Sequence, residues 1–99
     1  MLKEPLDPAA ARKLIRAILD TGNVVWSKHA LNEMAKDHYG EITRVDVVNV
    51  LRGGVVEPGE FETGSWRYRV HTMRIWVVIA FNSETETELV IVTAWRTRR

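Results

Sequence analysis

The sequence predicts an α+β domain: two or three N-terminal helices packed on a four-stranded, mainly antiparallel sheet. Three observations lead there. Apolar residues at helical spacing are confined to the first half of the chain, residues 66–96 read as three successive strands with short connections, and helices followed by a meander is the order of an α+β layout. The 99 residues suffice for one modest core, so residues 1–99 are taken as a single domain.

Residues 1–6 carry no pattern and are expected to be flexible. Asp7-Pro8 opens the first helix, because Asp caps free N–H groups and Pro suits the first helical position. Ala11, Leu14, Ile15, Ile18 and Leu19 then form one apolar stripe, and Gly22 stops the helix. Asn23 to Trp26 reads as an extended link. Ser27 is the predicted N-cap of a second helix running to about Asp37, with Ala30, Leu31, Met34 and Ala35 on its buried side and His29 roughly opposite. Thr43 with Asp46 resembles a capping box, and Ile42 with Val47 has the spacing of a hydrophobic staple, which predicts a third helix from Arg44 to Arg52. Gly53-Gly54 closes it, Val55-Val56 is a short first strand, and Pro58-Gly59 is a turn signal.

In the meander, Trp66, Tyr68, Val70 and Thr72 alternate with Arg67, Arg69 and His71, giving one greasy face and one cationic face. Ile75 to Phe81 is apolar at every position, the pattern of a central strand covered on both faces. Asn82 to Thr87 is a polar loop, and Leu89 to Trp95 is the last strand. Met73-Arg74 contains no Gly, Asn or Asp, so a longer or bulged connection near Thr72 is expected.

With no cysteine, disulfides, zinc–thiolate sites and cysteine nucleophiles are excluded. The longest apolar run is far below the ~20 residues of a membrane span and no signal-peptide core opens the chain, so a cytoplasmic protein without a membrane partner is expected. Net charge is only +1, unevenly spread. From Trp66 onward six arginines (67, 69, 74, 96, 98 and 99) face three glutamates, whereas residues 1–65 hold eight basic against ten acidic residues. Arginine's planar fork suits phosphate, although edge arginines also keep small sheets soluble.

Phosphate-binding glycine loops are absent. His29, Glu33, Asp37 and His38 string along the second helix without the His-Glu-x-x-His spacing, so neither a metal nor another cofactor is expected. Ser27, Ser65 and Ser83 read as cap or turn residues. What remains is histidine with arginine and aromatic or hydroxyl groups. Metal-free RNA cleavage needs those types: a base for the 2′-OH proton, an acid for the leaving 5′-oxygen and a cation for the phosphorane charge. His29, Arg67, Arg69, His71 and Thr93 are the candidates for chemistry, and Trp66, Tyr68, Trp95 and Arg96 for holding RNA. Each alone has an ordinary structural alternative, such as a core tyrosine with a wet tip.

The run Ser27-Lys28-His29-Ala30, followed by Met34, then Ile42-Thr43-Arg44-Val45-Asp46-Val47, Leu51-Arg52-Gly53-Gly54 and Val90-Ile91-Val92-Thr93-Ala94-Trp95, resembles a family of small bacterial Ser-x-His-Ala domains. That family looks like a branch of the barnase, EndoU, colicin and RelE-like ribonuclease toxins. The resemblance spans roughly residues 24–96 through short motifs. It implies a RelE/barnase-like fold whose sheet forms the RNA cleft, His29 and Thr93 as the family's helix histidine and last-strand threonine, and Arg67, Arg69 and His71 on the cleft strand. It also implies tRNA or mRNA as target and a protein antitoxin or immunity partner. Glu33 and Asp37 stand where the family has basic residues, and Ala94 is an extra residue between Thr93 and Trp95.

The leading expectation is a metal-independent ribonuclease of a toxin–antitoxin or secreted-toxin system, forming a 2′,3′-cyclic phosphate with His29 or His71 as base. A non-catalytic binding or regulatory module on the same fold is the alternative, motivated by Glu33, Asp37 and the low net charge. Assembly through a free sheet edge is a third and weaker one.

Overall fold

Three helices lie against one face of a six-stranded, mostly antiparallel sheet in the computed structural model, which describes residues 1–97. Arg98 and Arg99, counted above in the charge of the sheet region, lie outside the described residues. The helices are α1 (Pro8–Thr21), α2 (Lys28–Ala35) and α3 (Arg44–Gly53). Each starts at the predicted cap: Asp7 accepts the Ala10 N–H at 2.8 Å, Ser27 the Ala30 N–H at 3.0 Å, and Thr43 the Asp46 N–H at 3.1 Å. Their apolar stripes converge on the sheet, with Ala11, Ile15, Ile18, Ala30, Met34, Val47, Val50 and Leu51 buried in one core.

The capping box of α3 is complete, because Asp46 also accepts the Thr43 N–H at 2.9 Å. That bond, with help from the Thr43 hydroxyl and the Arg96 charge, holds the Asp46 carboxyl below its ordinary value despite partial burial. A group whose folded pKa is depressed stabilises the fold above its unfolded pKa and loses that contribution as pH falls through the folded value. Asp46→Ala is therefore expected to cost about 1 kcal/mol at pH 7 and progressively less below about pH 4. Urea unfolding at pH 7 and pH 3 checks this.

The strands are β1 (Asn23–Trp26), β2 (Val55–Val56), β3 (Glu60–Glu62), β4 (Ser65–His71), β5 (Ile75–Phe81) and β6 (Glu88–Arg96), in the order β1-β6-β5-β4-β2 with β3 also on β4. Four strands were predicted, and the two additions are β1 and β3. The former runs parallel to β6, with Val24 opposite Leu89 and Trp26 opposite Ile91, so its partner is distant in sequence and invisible to local pattern. The latter sets Glu60 opposite Arg67 and Phe61 opposite Trp66, a pairing that its two glutamates disguise.

Met73-Arg74 forms a tight connection rather than a longer one. The Thr72 N–H donates to the Ile75 carbonyl at 3.0 Å, and the Thr72 hydroxyl accepts the Arg74 and Ile75 N–H groups at 3.1 and 3.2 Å. A threonine side chain thus supplies the acceptor that a glycine-based hairpin turn would have found in backbone.

Residues 1–6, expected to be flexible, run along the sheet and are bonded to it. The Leu2 N–H donates to Ser83 O at 2.8 Å and the Leu6 N–H to the Tyr68 hydroxyl at 3.0 Å, while that hydroxyl donates to Glu4 at 2.8 Å. Tyr68 is fully buried, and burial pushes its hydroxyl up to about 12. Tyr68→Phe should cost about 1–3 kcal/mol, because the Leu6 N–H loses its acceptor. A raised folded pKa stabilises below the unfolded value, near 10, and the contribution is lost as pH rises toward 12. The wild type should weaken from about pH 10 upward and the variant should lack this component, as thermal melts from pH 8 to pH 11 would reveal.

Among the described residues no helix is long and apolar enough to cross a membrane.

Candidate functional site

Side-chain alternation divides the sheet into a covered and a bare face. Tyr68, Val70, Ile75, Val77, Ile79, Phe81, Leu89, Ile91 and Ala94 join the helices in the core, whereas Val78, though buried, is not part of that cluster. β5, expected to be covered on both faces, is covered by helices on one. Its other face carries Trp76, Val78 and Ala80, which lie opposite His71 and Arg69 of β4 on one side and Trp95, Thr93 and Val90 of β6 on the other.

A register shift makes this face. Ile79 pairs with Ile91 but the preceding Val78 pairs with Thr93, so Val92 is an extra residue in β6. Strict alternation from Leu89 would have sent Thr93 and Trp95 into the core with Ile91. The bulge turns them out, and Ala94, buried between them, takes the inward place.

Two rows of side chains result. One is Arg69, Val78 and Thr93; the other is His71, Trp76 and Trp95. In the second row the rings stand parallel: His71 stacks on Trp76 at 4.0 Å between centroids with 8° between planes, and Trp76 on Trp95 at 6.0 Å and 11°. The outer ring, Trp95, is 38 % exposed and offers a flat apolar surface. At the opposite end of the row, His71 Nε2 lies 2.6 Å from Glu57 Oε2. The carboxylate faces Nε2, and Nδ1 has no partner among the described residues. A groove of about 480 Å³ opens beside the pair, lined by Gly54, Val55, His71, Met73, Trp76 and Thr97 among others.

The cations of the face are unequal. Arg69 donates to Glu60 at 3.2 Å and to Glu62 at 2.9 Å, and its hydrogen bond holds the Glu62 carboxyl below the usual range, with Arg67 adding to the effect through charge. Arg67 itself has no carboxylate within ion-pair distance among the described residues; its Nε reaches only the Ser65 hydroxyl, at 3.5 Å. Glu57, Glu60 and Glu62 all come from the short segment that closes this edge of the sheet.

The other predicted site residues fall elsewhere. His29 is exposed on α2 in the helix layer, not on the face with Arg67, Arg69, His71 and Thr93. Trp66 packs on the core side against Phe61, and Tyr68 is buried beneath the N-terminal segment, so neither presents a ring to a ligand on the bare face. Arg96 points away as well: its guanidinium donates to the Gly40 and Glu41 carbonyls at 3.0 and 2.9 Å and lies 3.6 Å from Asp46. It fastens the loop between α2 and α3 to the last strand, assisted by Asp37, which accepts the Arg96 N–H at 3.0 Å. Ser27 of the Ser-x-His-Ala motif has a structural task too, since its hydroxyl donates to Ile91 O at 2.8 Å while capping α2. His29, Glu33, Asp37 and His38, the last two of which lie beyond the end of α2, form no metal site: among the described residues no group of three or more His, Asp or Glu could hold a metal ion.

Glu57 and Trp76 were not predicted. Trp76 was hidden inside a wholly apolar run, and Glu57 sat before a turn signal with nothing local to link it to His71.

No family model matches the chain, and comparison with curated proteins and with solved structures returned no match.

Proposed function

We propose that the bare face of the sheet binds RNA and cleaves it without metal, as a ribonuclease-type toxin domain would. The observation that carries this reading is the His71–Glu57 pair at 2.6 Å, set at the end of a stacked aromatic row beside a groove. Glu57 fixes the imidazole so that Nδ1 takes the proton of a ribose 2′-OH. The freed 2′-oxygen attacks phosphorus, the bond from phosphorus to the 5′-oxygen breaks, and the leaving oxygen takes a proton from water. The products are a 2′,3′-cyclic phosphate and a 5′-hydroxyl end. Arg67, the cation of this face without a carboxylate partner among the described residues, stabilises the charge on the phosphorane, and Trp95 stacks a base.

The base is thereby His71 and not His29. The proposal includes the RelE/barnase-like fold that the motifs suggest, cytoplasmic action on tRNA or mRNA, and an inhibitory protein partner.

Incubation of the purified protein with tRNA and total RNA in EDTA should yield fragments ending in cyclic phosphate, and His29→Ala should leave the rate unchanged within about twofold, as expected for an exposed side chain outside the site. Intact RNA in the presence of folded protein would overturn the reading. One observation favours a second one, a non-catalytic binding module: Arg69 is already held by Glu60 and Glu62. RNA binding without cleavage is the outcome that would select it.

A further inference from the structure

We infer that this face selects unpaired RNA by stacking rather than by charge, and that Glu60 and Glu62 set that selectivity by occupying Arg69. The inference rests on the RNA-binding part of the reading above and goes on to name the class of strand. Three carboxylates, Glu57, Glu60 and Glu62, stand on the face against two guanidiniums, Arg67 and Arg69, and one guanidinium is already doubly paired. Such a surface has no electrostatic funnel for a polyanion. Duplexes are recognised mainly through phosphates and sugars, so among the described residues of this face a duplex finds one cation without a carboxylate partner and a rim of carboxylates.

An unpaired base finds something better. His71 and Trp76 lie within 8° of parallel, Trp76 and Trp95 within 11°, and Trp95 is 38 % exposed, so a base laid on Trp95 extends the column by one member. A paired base cannot leave its own stack to do so without the cost of unpairing. The glutamates therefore act by exclusion: they withdraw Arg69 from phosphate and leave the aromatic surface as the main source of affinity.

The test uses 2′-O-methyl oligonucleotides, which bind but lack the 2′-OH proton that cleavage needs, either single-stranded or annealed to their complement. The wild type should bind the single strand at least about tenfold more tightly than the duplex, with a log–log salt slope of about −1 or shallower, since each phosphate neutralised on a single strand contributes about −0.7. Trp95→Ala should weaken single-strand binding about tenfold or more. Arg69→Gln should leave the slope unchanged, whereas Arg67→Gln should flatten it. Glu60→Gln with Glu62→Gln should steepen the slope by about 0.7 and narrow the preference over duplex.

Equal affinity for duplex and single strand, or a slope that flattens with Arg69→Gln as it does with Arg67→Gln, would overturn the inference. Cleavage of natural RNA would still uphold the ribonuclease reading in that case. Selective single-strand binding without cleavage would do the reverse, and no binding by either the wild type or the double glutamine variant would overturn both.

Discussion

His71→Gln is expected to lower the RNA-cleavage rate by about 10²- to 10⁴-fold, the usual contribution of a positioned general base. Glutamine keeps a hydrogen-bonding side chain of similar reach but accepts no proton, so the circular dichroism spectrum should be that of the wild type. Its partner predicts a second signature. Glu57 touches His71, and in the proposed reaction it is a positioning residue: Glu57→Gln should reduce the rate less than His71→Gln and shift the pH–rate profile, because an amide no longer fixes the tautomer as a carboxylate does. Kinetics of the two variants from pH 5 to pH 9 would check the pair. A rate for His71→Gln within threefold of the wild type would remove His71 from the chemistry.

A large effect on stability is expected at Gly54. A Cβ there would lie 2.6 Å from Val50 O and 2.8 Å from His71 O. Both are backbone atoms, one in the last turn of α3 and one at the end of β4, and neither yields by rotating a side chain. The Arg12 guanidinium also donates to the Gly54 carbonyl, at 2.5 Å, so the peptide is held from a third side. Gly54→Ala should therefore destabilise by about 2–3 kcal/mol, as overpacking in a dense interior does. Gly53 is the internal control. Nothing lies within 4 Å of its would-be Cβ, so Gly53→Ala should change stability by less than about 1 kcal/mol. Denaturant unfolding of both variants separates a close approach from a mere helix stop.

The pair of glycines illustrates what the sequence discloses. Gly53-Gly54 reads as a helix terminus, which is correct, yet only the tertiary contact with β4 distinguishes one glycine from the other. Signals that act over three or four residues were legible: the caps at Asp7, Ser27 and Thr43, the apolar stripes, and the alternation of β4. Signals that depend on distant partners were not. β1 finds its partner across most of the chain, and the Val92 bulge, which reverses the facing of Thr93 and Trp95, leaves no mark in a run of β-forming residues. Arg67, Arg69 and His71 were legible as a group because they share a strand. Glu57 was not, since its meeting with His71 depends on how the Pro58-Gly59 break folds the edge back along β4.

The place of β6 in the sheet has a consequence for how the chain acquires this fold during synthesis. β6 pairs with β1 on one side and β5 on the other, and α2 leans on it as well. While residues 88–96 are still to be made on the ribosome, β1 has no neighbour, α2 lacks the carbonyl that anchors its cap, and β5 shows an unpaired apolar edge. A nascent chain in that condition is a natural client for chaperones that shield strand edges. The aromatic row is completed by Trp95, among the last residues of β6, so the bare aromatic face and the closed sheet come into being together.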